Sequence, residues 1–364
     1  MGIISLFKKK KPEPKLLMES RSPVCPLKVI IEECNDSTYM YLLHIISENE
    51  PPIFKSSCWL SNHSHAPKDI DIKAMKEGMP SMLPAEFCKH PHGISKLNPE
   101  EIEVVWFEEG DGVAVLYQGD ILGIIPPWAQ DTFPVFASGC IKESQLVLPL
   151  IKEENALYSR ILKAKDFWDN FNDEQWISFK DGCLPILESQ FGSHIKYYAI
   201  DGGFFPPKAL VKFEVKNVTY LFTVGVSIIP QPMIEMCTDT PEIKRRIEIA
   251  LAIENETFNQ NAEPILNYIS AQTAIPWQNL SWLGHGHTIS AADVFSLEFP
   301  NVVCVGANEC AKVPCTSLPS FGDDTTNILW LVPLTTEGTL MIKEEGIDSF
   351  CEKQNKENFW IFDK

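Results

Sequence analysis

The sequence predicts an α+β fold built from two mixed α/β lobes, each with a largely antiparallel sheet and packed helices. Three observations lead to this class. The chain has 364 residues, more than one hydrophobic core usually holds. Apolar runs broken by turn residues indicate strand hairpins, and helix-compatible runs lie between them without a Gly-rich phosphate loop or a serine elbow. We expect a disordered basic arm at 1–19, a first domain at 20–155, a connector helix at 156–167 and a second domain at 168–364.

Composition and charge restrict the possible function classes. Hydrophobic residues make up 45% and charged residues 22%, as in ordinary globular proteins, and no apolar run is long enough to span a bilayer. The formal charge is −18, and residues 167–364 carry 13 Lys/Arg against 26 Asp/Glu, a net of −13. This charge repels phosphate backbones, so we expect no nucleic-acid partner and favour a basic protein partner.

The cysteines and the first residues indicate a cytoplasmic protein. The 11 cysteines contain no Cys-x-x-Cys pair, and no secretory signal precedes them, so reduced thiols are expected. The opening MGIISLFKKKKPEP joins a short apolar patch to four lysines and two prolines, which is typical of a disordered arm. Its serine misses the myristoylation pattern by one position, so no stable membrane association is expected.

In the first domain the clearest strand pairing is EVVWFEEGDGVAVLYQGDILGIIPPW. Its apolar runs are separated by Asp-Gly and Gly-Asp steps, which are hairpin signals. Trp106 ends the first run, and Glu108, Glu109 and Asp111 follow at the turn. These carboxylates could bind a cation or a basic partner. The simpler interpretation is an exposed turn that carries charge.

The second domain is predicted to begin with a helix at 176–191, in which Pro185 marks a kink or break. Another helix is predicted to begin at Thr240, because Pro241 suits a first helical position and apolar residues recur at fours. The other predicted elements are strands at 197–200, 209–215 and 218–229, a helix at 263–272, strands in VVCVGA and ILWLVPL, and a helix at about 336–354.

Residues 275–293, IPWQNLSWLGHGHTISAAD, concentrate aromatic and imidazole side chains: Trp277, Trp282, His285 and His287. Gly284 and Gly286 alternate with the histidines and predict a shaped loop. Three interpretations are open. The tryptophans can be buried anchors of a loop with backbone-bonded histidines, the loop can be a binding surface, or the histidines can be a metal or catalytic pair. No further ligand follows at a recognised zinc spacing.

Several motifs occur in a recognisable order. The second half contains RRIEIALAI, NYISAQ, IPWQNLSWLGHGHTI and ILWLVPLTTEG. Through these motifs, over about 168–364, the chain resembles bacterial members of the suppressor-of-fused family. Its first half is similar to the leader domain of longer bacterial members, over roughly 50–140, through CWLSN, MLPAEFCKHPHG and VVWFEEGDGVAVL with IIPPW. The resemblance implies a protein-binding module without known catalysis, and bacterial relatives are proposed as immunity proteins against polymorphic toxins.

We therefore expect a non-enzymatic protein of the immunity or antitoxin type that sequesters a basic partner such as a polymorphic toxin. No cofactor, metal or catalytic residue is expected. The candidate partner-binding residues are Trp277, Trp282, Gly284, His285, Gly286, His287, Trp106, Glu108, Glu109 and Asp111. The alternative is a metal-dependent hydrolase in which His285 and His287 act with a nearby acid such as Asp293.

Overall fold

A computed structural model describes residues 14–129, 134–152 and 155–363. The chain divides into two compact units between Phe167 and Trp168. Both units contain sheets made mainly of antiparallel strands together with helices, so the predicted α+β class is confirmed. Of the helices in the described ranges, none is long and apolar enough to cross a bilayer.

The first unit opens with a four-stranded antiparallel meander. Its strands are β1 (Lys15–Arg21), β2 (Leu27–Cys34), β3 (Ser37–His44) and β4 (Ile53–Asn62). Buried and half-buried residues alternate along most of β2, which is the period expected of a strand. The strand β1 corrects the prediction of a disordered arm at 1–19, because residues 15–19 pair with β2. The lysine-rich residues 1–13 lie outside the described residues.

A second sheet completes the first unit after the short helix α1 (Ile72–Lys76). Its strands are β5 (Ile102–Trp106), β6 (Val113–Tyr117), β7 (Asp120–Ile125), β8 (Phe136–Ala137) and β9 (Leu148–Pro149), with only the β8–β9 pair parallel. The thiol of Cys58 on β4 donates to the Phe136 carbonyl on β8 at 3.4 Å, so the two sheets meet there. Helix α2 (Ala156–Asn170) follows, close to the predicted connector.

The second unit is built on one eight-stranded mixed sheet. Its strands are β10 (Lys196–Ala199), β11 (Ala209–Val215), β12 (Val218–Val224), β13 (Arg246–Glu254), β14 (Thr288–Ser290), β15 (Asn301–Gly306), β16 (Thr326–Leu334) and β17 (Ile361–Phe362). The order is β10-β11-β12-β13-β16-β15-β14, and β17 also pairs with β13. The β13–β16 and β13–β17 pairs are parallel, and the other pairs are antiparallel.

Strand β13 overturns the helix predicted to begin at Thr240. Only a single 3₁₀ turn, Pro241–Ile243, forms there. Apolar residues at fours also fit a strand, since four is a multiple of the strand period of two. The strand is buried along its whole length except at Glu254, as in a central strand covered on both faces.

Helices cover this sheet. They are α3 (Asp173–Phe191), α4 (Asn255–Gln260), α5 (Ala262–Gln272), α6 (Ile275–Gln278), α7 (Ala292–Phe295), α8 (Thr336–Glu345) and α9 (Ile347–Lys353). Helix α3 starts at a capping box of Asn172 and Gln175 and continues through Pro185, so the predicted break does not occur. The predicted helix at 336–354 is instead divided at Gly346, whose φ is +87°.

Candidate functional site

Trp277 is an interior anchor of the segment that the sequence singled out. It lies on α6 with 4% of its surface exposed, and its Nε1–H donates to the Pro230 carbonyl at 3.1 Å. The Nζ atom of Lys208 lies 5.1 Å from the centroid of the indole. A buried indole whose N–H is already bonded supports the fold. Trp277 therefore positions the loop that follows it and does not itself offer a surface to a partner.

Gln231 fixes that loop and was missed by the sequence interpretation. Its side chain is fully buried. Its Oε1 accepts the Leu283 N–H at 2.8 Å, while its Nε2–H₂ donates to the carbonyls of Leu283 and Lys244 at 3.0 and 3.1 Å. One amide therefore binds both backbone groups of Leu283, just before the Gly-His alternation. The available signal was a lone glutamine among apolar residues in IIPQPMI, because a buried amide needs backbone partners.

The two glycines serve different purposes. A Cβ atom on Gly284 would overlap the Trp282 ring, so this position lets the indole fold over the backbone. Gly286 has a φ of +90°, which side chains rarely tolerate, and a Cβ there would lie 3.0 Å from the Ile347 Cγ2 atom. The predicted shaped loop is confirmed, and both glycines are required by its geometry.

His285 has two separate partners. Its Nδ1 accepts the Gly306 N–H at 3.1 Å, and its Nε2 lies 3.3 Å from the Asp348 Oδ1. Because Nδ1 accepts, the neutral ring carries its proton on Nε2, from which it donates to Asp348. The Nδ1 lone pair is thus occupied by the backbone, and a metal could bind at Nε2 only by displacing the contact with Asp348.

His287 packs against Trp282 instead. The two ring centroids are 4.3 Å apart with an interplanar angle of 57°, and both side chains are half-buried. Burial lowers the pKa of His287, and a hydrogen bond to the Trp282 backbone opposes this effect only in part. Imidazole and indole therefore form one surface feature, the Trp282–His287 pair, in which the imidazole is uncharged at neutral pH.

Backbone hydrogen bonds tie this loop to β15. The Gly286 N–H donates to the Cys304 carbonyl, and the Cys304 N–H donates to the His287 carbonyl, both at 2.8 Å. Strand β14 begins directly afterwards. The two imidazoles thus have different partners, and within the described ranges no group of three or more His, Cys, Asp or Glu side chains is arranged to hold a metal ion. Asp293, the acid of the hydrolase alternative, is exposed on α7.

The candidate residues of the first unit lie at a largely buried turn. Trp106 is 4% exposed, and its Nε1–H donates to the Ser20 Oγ at 3.0 Å. Glu109 is also 4% exposed and forms an ion pair with Arg160 of α2 at 3.1 Å. Asp111 is completely buried. The interpretation of an exposed charged turn is therefore wrong for Glu109 and Asp111.

Glu108 is half-buried beside these groups. Since the two carboxylates that follow it, those of Glu109 and Asp111, are interior, this turn offers a partner far less charge than its sequence suggests. The structure brings the candidates into two separate sets, one in each unit: 106–111 in the first and 277–287 in the second. The rings of Trp282, His285 and His287 in the second set are all partly accessible, but His285 is bonded to Gly306 and Asp348, which leaves the Trp282–His287 pair as the aromatic feature of this surface.

A buried polar network centred on Glu248 and Arg246 of β13 holds the turn that precedes Pro230. Glu248 is fully buried, and its Oε1 accepts from the Gly225 N–H at 2.9 Å and from the Ser227 N–H and Oγ at 3.1 and 2.7 Å. Its Oε2 accepts from Thr223 Oγ1 at 2.6 Å. Burial raises the pKa of Glu248, while these hydrogen bonds act in the opposite direction. The carboxylate organises the turn that follows β12.

Arg246, two residues earlier on β13, binds the same turn. Its guanidinium donates to the carbonyls of Ser227 and Ile228 at 3.0 and 2.6 Å, and its Nε–H to the Asp324 Oδ2 at 2.9 Å. This turn leads to Pro230, the acceptor of the Trp277 indole, so a continuous series of contacts joins the central strand to the loop. Arg246 and Glu248 are two positions apart, which places both side chains on one face of a strand. The prediction of a helix here did not use this spacing.

Comparison with known proteins concerns the second unit. The family model described as Suppressor of fused protein (SUFU) matches residues 194–364. The match contains the loop, Gln231 and the β13 network, whereas the first unit and α3 lie outside it. The similarity of the first half to a leader domain stays a prediction. No curated protein and no solved structure was found to match the chain.

Proposed function

We propose that this chain, whose residues 194–364 match the family model of suppressor of fused, is a non-enzymatic cytoplasmic protein that sequesters a basic protein partner. The family is one of protein-interaction modules, and this supports a protein partner in general. The finer proposal is an immunity or antitoxin role, in which the partner is a polymorphic toxin. In this role the chain would occlude the toxin and carry out no chemistry itself.

The observation that carries the proposal is the Trp282–His287 pair. Aromatic side chains dominate the binding energy of many interfaces, and they do so best when they are held in place before binding. Here the indole is fixed over Gly284, and the backbone on either side is fixed by Gln231 and by β15. An uncharged imidazole beside it can donate or accept a hydrogen bond without the desolvation cost of an ion.

Charge supports the choice of a basic partner. The second unit carries a net charge of −13, counted over 167–364. Such a field accelerates encounter with a positively charged protein and repels nucleic acid and anionic membrane surfaces. Charge would thus control the association rate, and the aromatic pair would control the lifetime of the complex.

The experiment co-expresses the full-length chain with the product of each gene adjacent to its own, beginning with any product that is basic and inhibits growth. We expect the wild type to restore growth that the neighbour's product inhibits, and to bind it in purified form. The double variant Trp282→Ala/His287→Ala should lose affinity by about 2–4 kcal/mol if the pair lies at the centre of the interface. Thr288→Ala, at an exposed neighbouring position, is the matched control.

Two results would contradict the proposal. One is unchanged protection and affinity in the double variant when the wild type binds. The other is stoichiometric metal in the purified wild type, together with a hydrolytic activity that His285→Ala abolishes, which would make the hydrolase alternative the primary function. Circular dichroism of each variant checks that the fold is retained.

A further inference from the structure

A pocket of about 450 Å³ opens at the C-terminal end of β13. Strand β13 pairs with β16 only as far as Ala250, and the short β17 pairs with Ala252 and Ile253 beyond that point. Helices α4, α5 and α7 supply the remaining walls. The volume lies in the range of about 300–1,000 Å³ that is usual for ligand pockets.

The pocket has an apolar and aromatic interior. Ile253, Ile265, Phe295 and Phe362 contribute to its lining, and all four are buried. The rings of Phe295 and Phe362 pack edge to face with centroids 5.1 Å apart. This packing fixes the aromatic surface in advance, so an apolar or cationic group can bind without rearrangement of the interior.

The polar lining is acidic. Glu254, Glu256 and Asp293 line the pocket, and no Lys or Arg is among its described lining residues. The ion pairs seen among the described residues of the second unit involve other side chains, and none of these three carboxylates forms one with a described residue. Three uncompensated carboxylates above aromatic rings produce a negative potential in a site that is partly shielded from water.

A buried hydroxyl is a second polar feature of the pocket. Ser296 lines the same pocket, and its Oγ is buried without a hydrogen-bond partner in the described part of the chain. A buried polar atom without a partner is unusual, and leaving one unsatisfied costs about 1–3 kcal/mol. A donor that enters the pocket would satisfy this oxygen.

We propose that this pocket binds an arginine side chain of the partner protein. The inference rests on the proposed function, to which it adds the chemistry that is recognised. The guanidinium lies against the aromatic surface formed by Phe295 and Phe362 and stacks on one of the two rings. Its N–H groups donate to Asp293, to Glu254 or Glu256 and to Ser296, and the apolar stem packs against Ile253 and Ile265. Arginine fits better than lysine because its five donors are spread over a plane that also stacks on aromatic rings.

The test titrates the full-length chain with the capped peptide acetyl-Gly-Arg-Gly-amide and follows amide NMR signals. Saturable shifts are expected at Glu254, Phe295 and Ser296. The same peptide with citrulline, which keeps the shape but lacks the charge, should bind about tenfold more weakly or not at all. A lysine peptide should also bind more weakly, and rising salt should weaken the binding of the arginine peptide.

Variants distinguish binding in the pocket from non-specific attraction of the peptide to an acidic protein surface. Glu256→Gln/Asp293→Asn alters two exposed side chains and should lower the affinity for the arginine peptide about tenfold without affecting the fold. Glu344→Gln, exposed on α8 and absent from the pocket lining, is the matched control and should leave binding unchanged. Equal binding of the arginine, lysine and citrulline peptides, or undiminished binding by the double variant, would overturn the proposal.

The peptide experiment is independent of the partner experiment. If the chain protects growth but does not bind the arginine peptide, the arginine-binding proposal is wrong and the proposed function still holds. If the chain binds the arginine peptide but has no effect on the product of any adjacent gene, the proposed function is wrong and arginine binding by the pocket still holds.

Discussion

The Gln231 side chain bonds to both backbone groups of Leu283, with Oε1 at 2.8 Å from the N–H and Nε2 at 3.0 Å from the carbonyl. One residue thereby holds a loop that lies far from it in sequence. We expect Gln231→Leu to leave both Leu283 groups without these partners and to lower the free energy of unfolding by about 1–3 kcal/mol for each. Urea unfolding measures the loss, and Gln278→Leu, which is exposed on α6, is the control.

A structural role for Gln231 should also be visible in hydrogen exchange. The Leu283 amide should exchange with solvent deuterium much faster in Gln231→Leu than in the wild type, while amides of β11 are unaffected. Equal stability and equal exchange in the two proteins would show that the loop is held by other contacts.

The two tryptophans of the loop segment should respond differently to substitution. Trp277→Ala should lower the unfolding free energy by about 3–5 kcal/mol, because it removes a buried indole and leaves the Pro230 carbonyl without its donor. Trp282 is half-buried, so Trp282→Ala should cost clearly less and affect mainly partner binding. Thermal and urea unfolding of both variants tests the difference, and comparable losses would make Trp282 a core residue.

The stability of the second unit should depend on the protonation of His287. Burial lowers the pKa of His287 below its ordinary value of 6.5 in the folded state. As the pH falls below 6.5 the unfolded chain therefore takes up the proton first, and the free energy of unfolding decreases until the folded pKa is passed. Above pH 6.5 this contribution is constant.

The measurement compares urea unfolding of the wild type and His287→Gln from pH 7.5 to 5. The wild type should lose more stability than the variant over this range, and its His287 ring should titrate by NMR with a midpoint below 6.5. A midpoint above 6.5, or parallel pH profiles, would contradict the contribution of burial.

The folding unit extends beyond the family match. Helix α3 precedes residue 194, yet its Cys183, Leu187 and Phe191 belong to the core of the second unit. The Phe191 ring lies 4.8 Å from that of Phe222 on β12. We expect the fragment 168–364 to fold and 194–364 to remain unfolded or aggregate, because the latter exposes the face of β11 and β12 that α3 covers.

Circular dichroism and NMR dispersion of the two fragments provide the test. A well-dispersed spectrum for 194–364 would show that α3 is dispensable. Failure of both fragments while the full chain folds would show that the two units depend on each other.

The sequence predicted the fold class and the shaped loop, because alternating apolar runs, turn residues and paired glycines act locally. It failed at β13, where a spacing of four fits helix and strand alike and the choice depends on neighbours distant in the chain. It also misjudged Glu109 and Asp111, since a turn pattern does not report whether other segments cover it. Gln231 became recognisable only through its partner Leu283.

Strand β17 has a consequence for the synthesis of the protein. Ala252 and Ile253, in the middle of the second unit's sequence, pair with Ile361 and Phe362 near residue 364. Before the ribosome has made β16 and β17, β13 has β12 on one side and an unoccupied edge on the other, and β16 later covers that edge only as far as Ala250. The nascent chain must therefore keep Arg246–Ala250 from pairing with other chains until β16 has been made, and Ala252 and Ile253 until translation has passed residue 362. This interval carries a risk of aggregation and a need for chaperones.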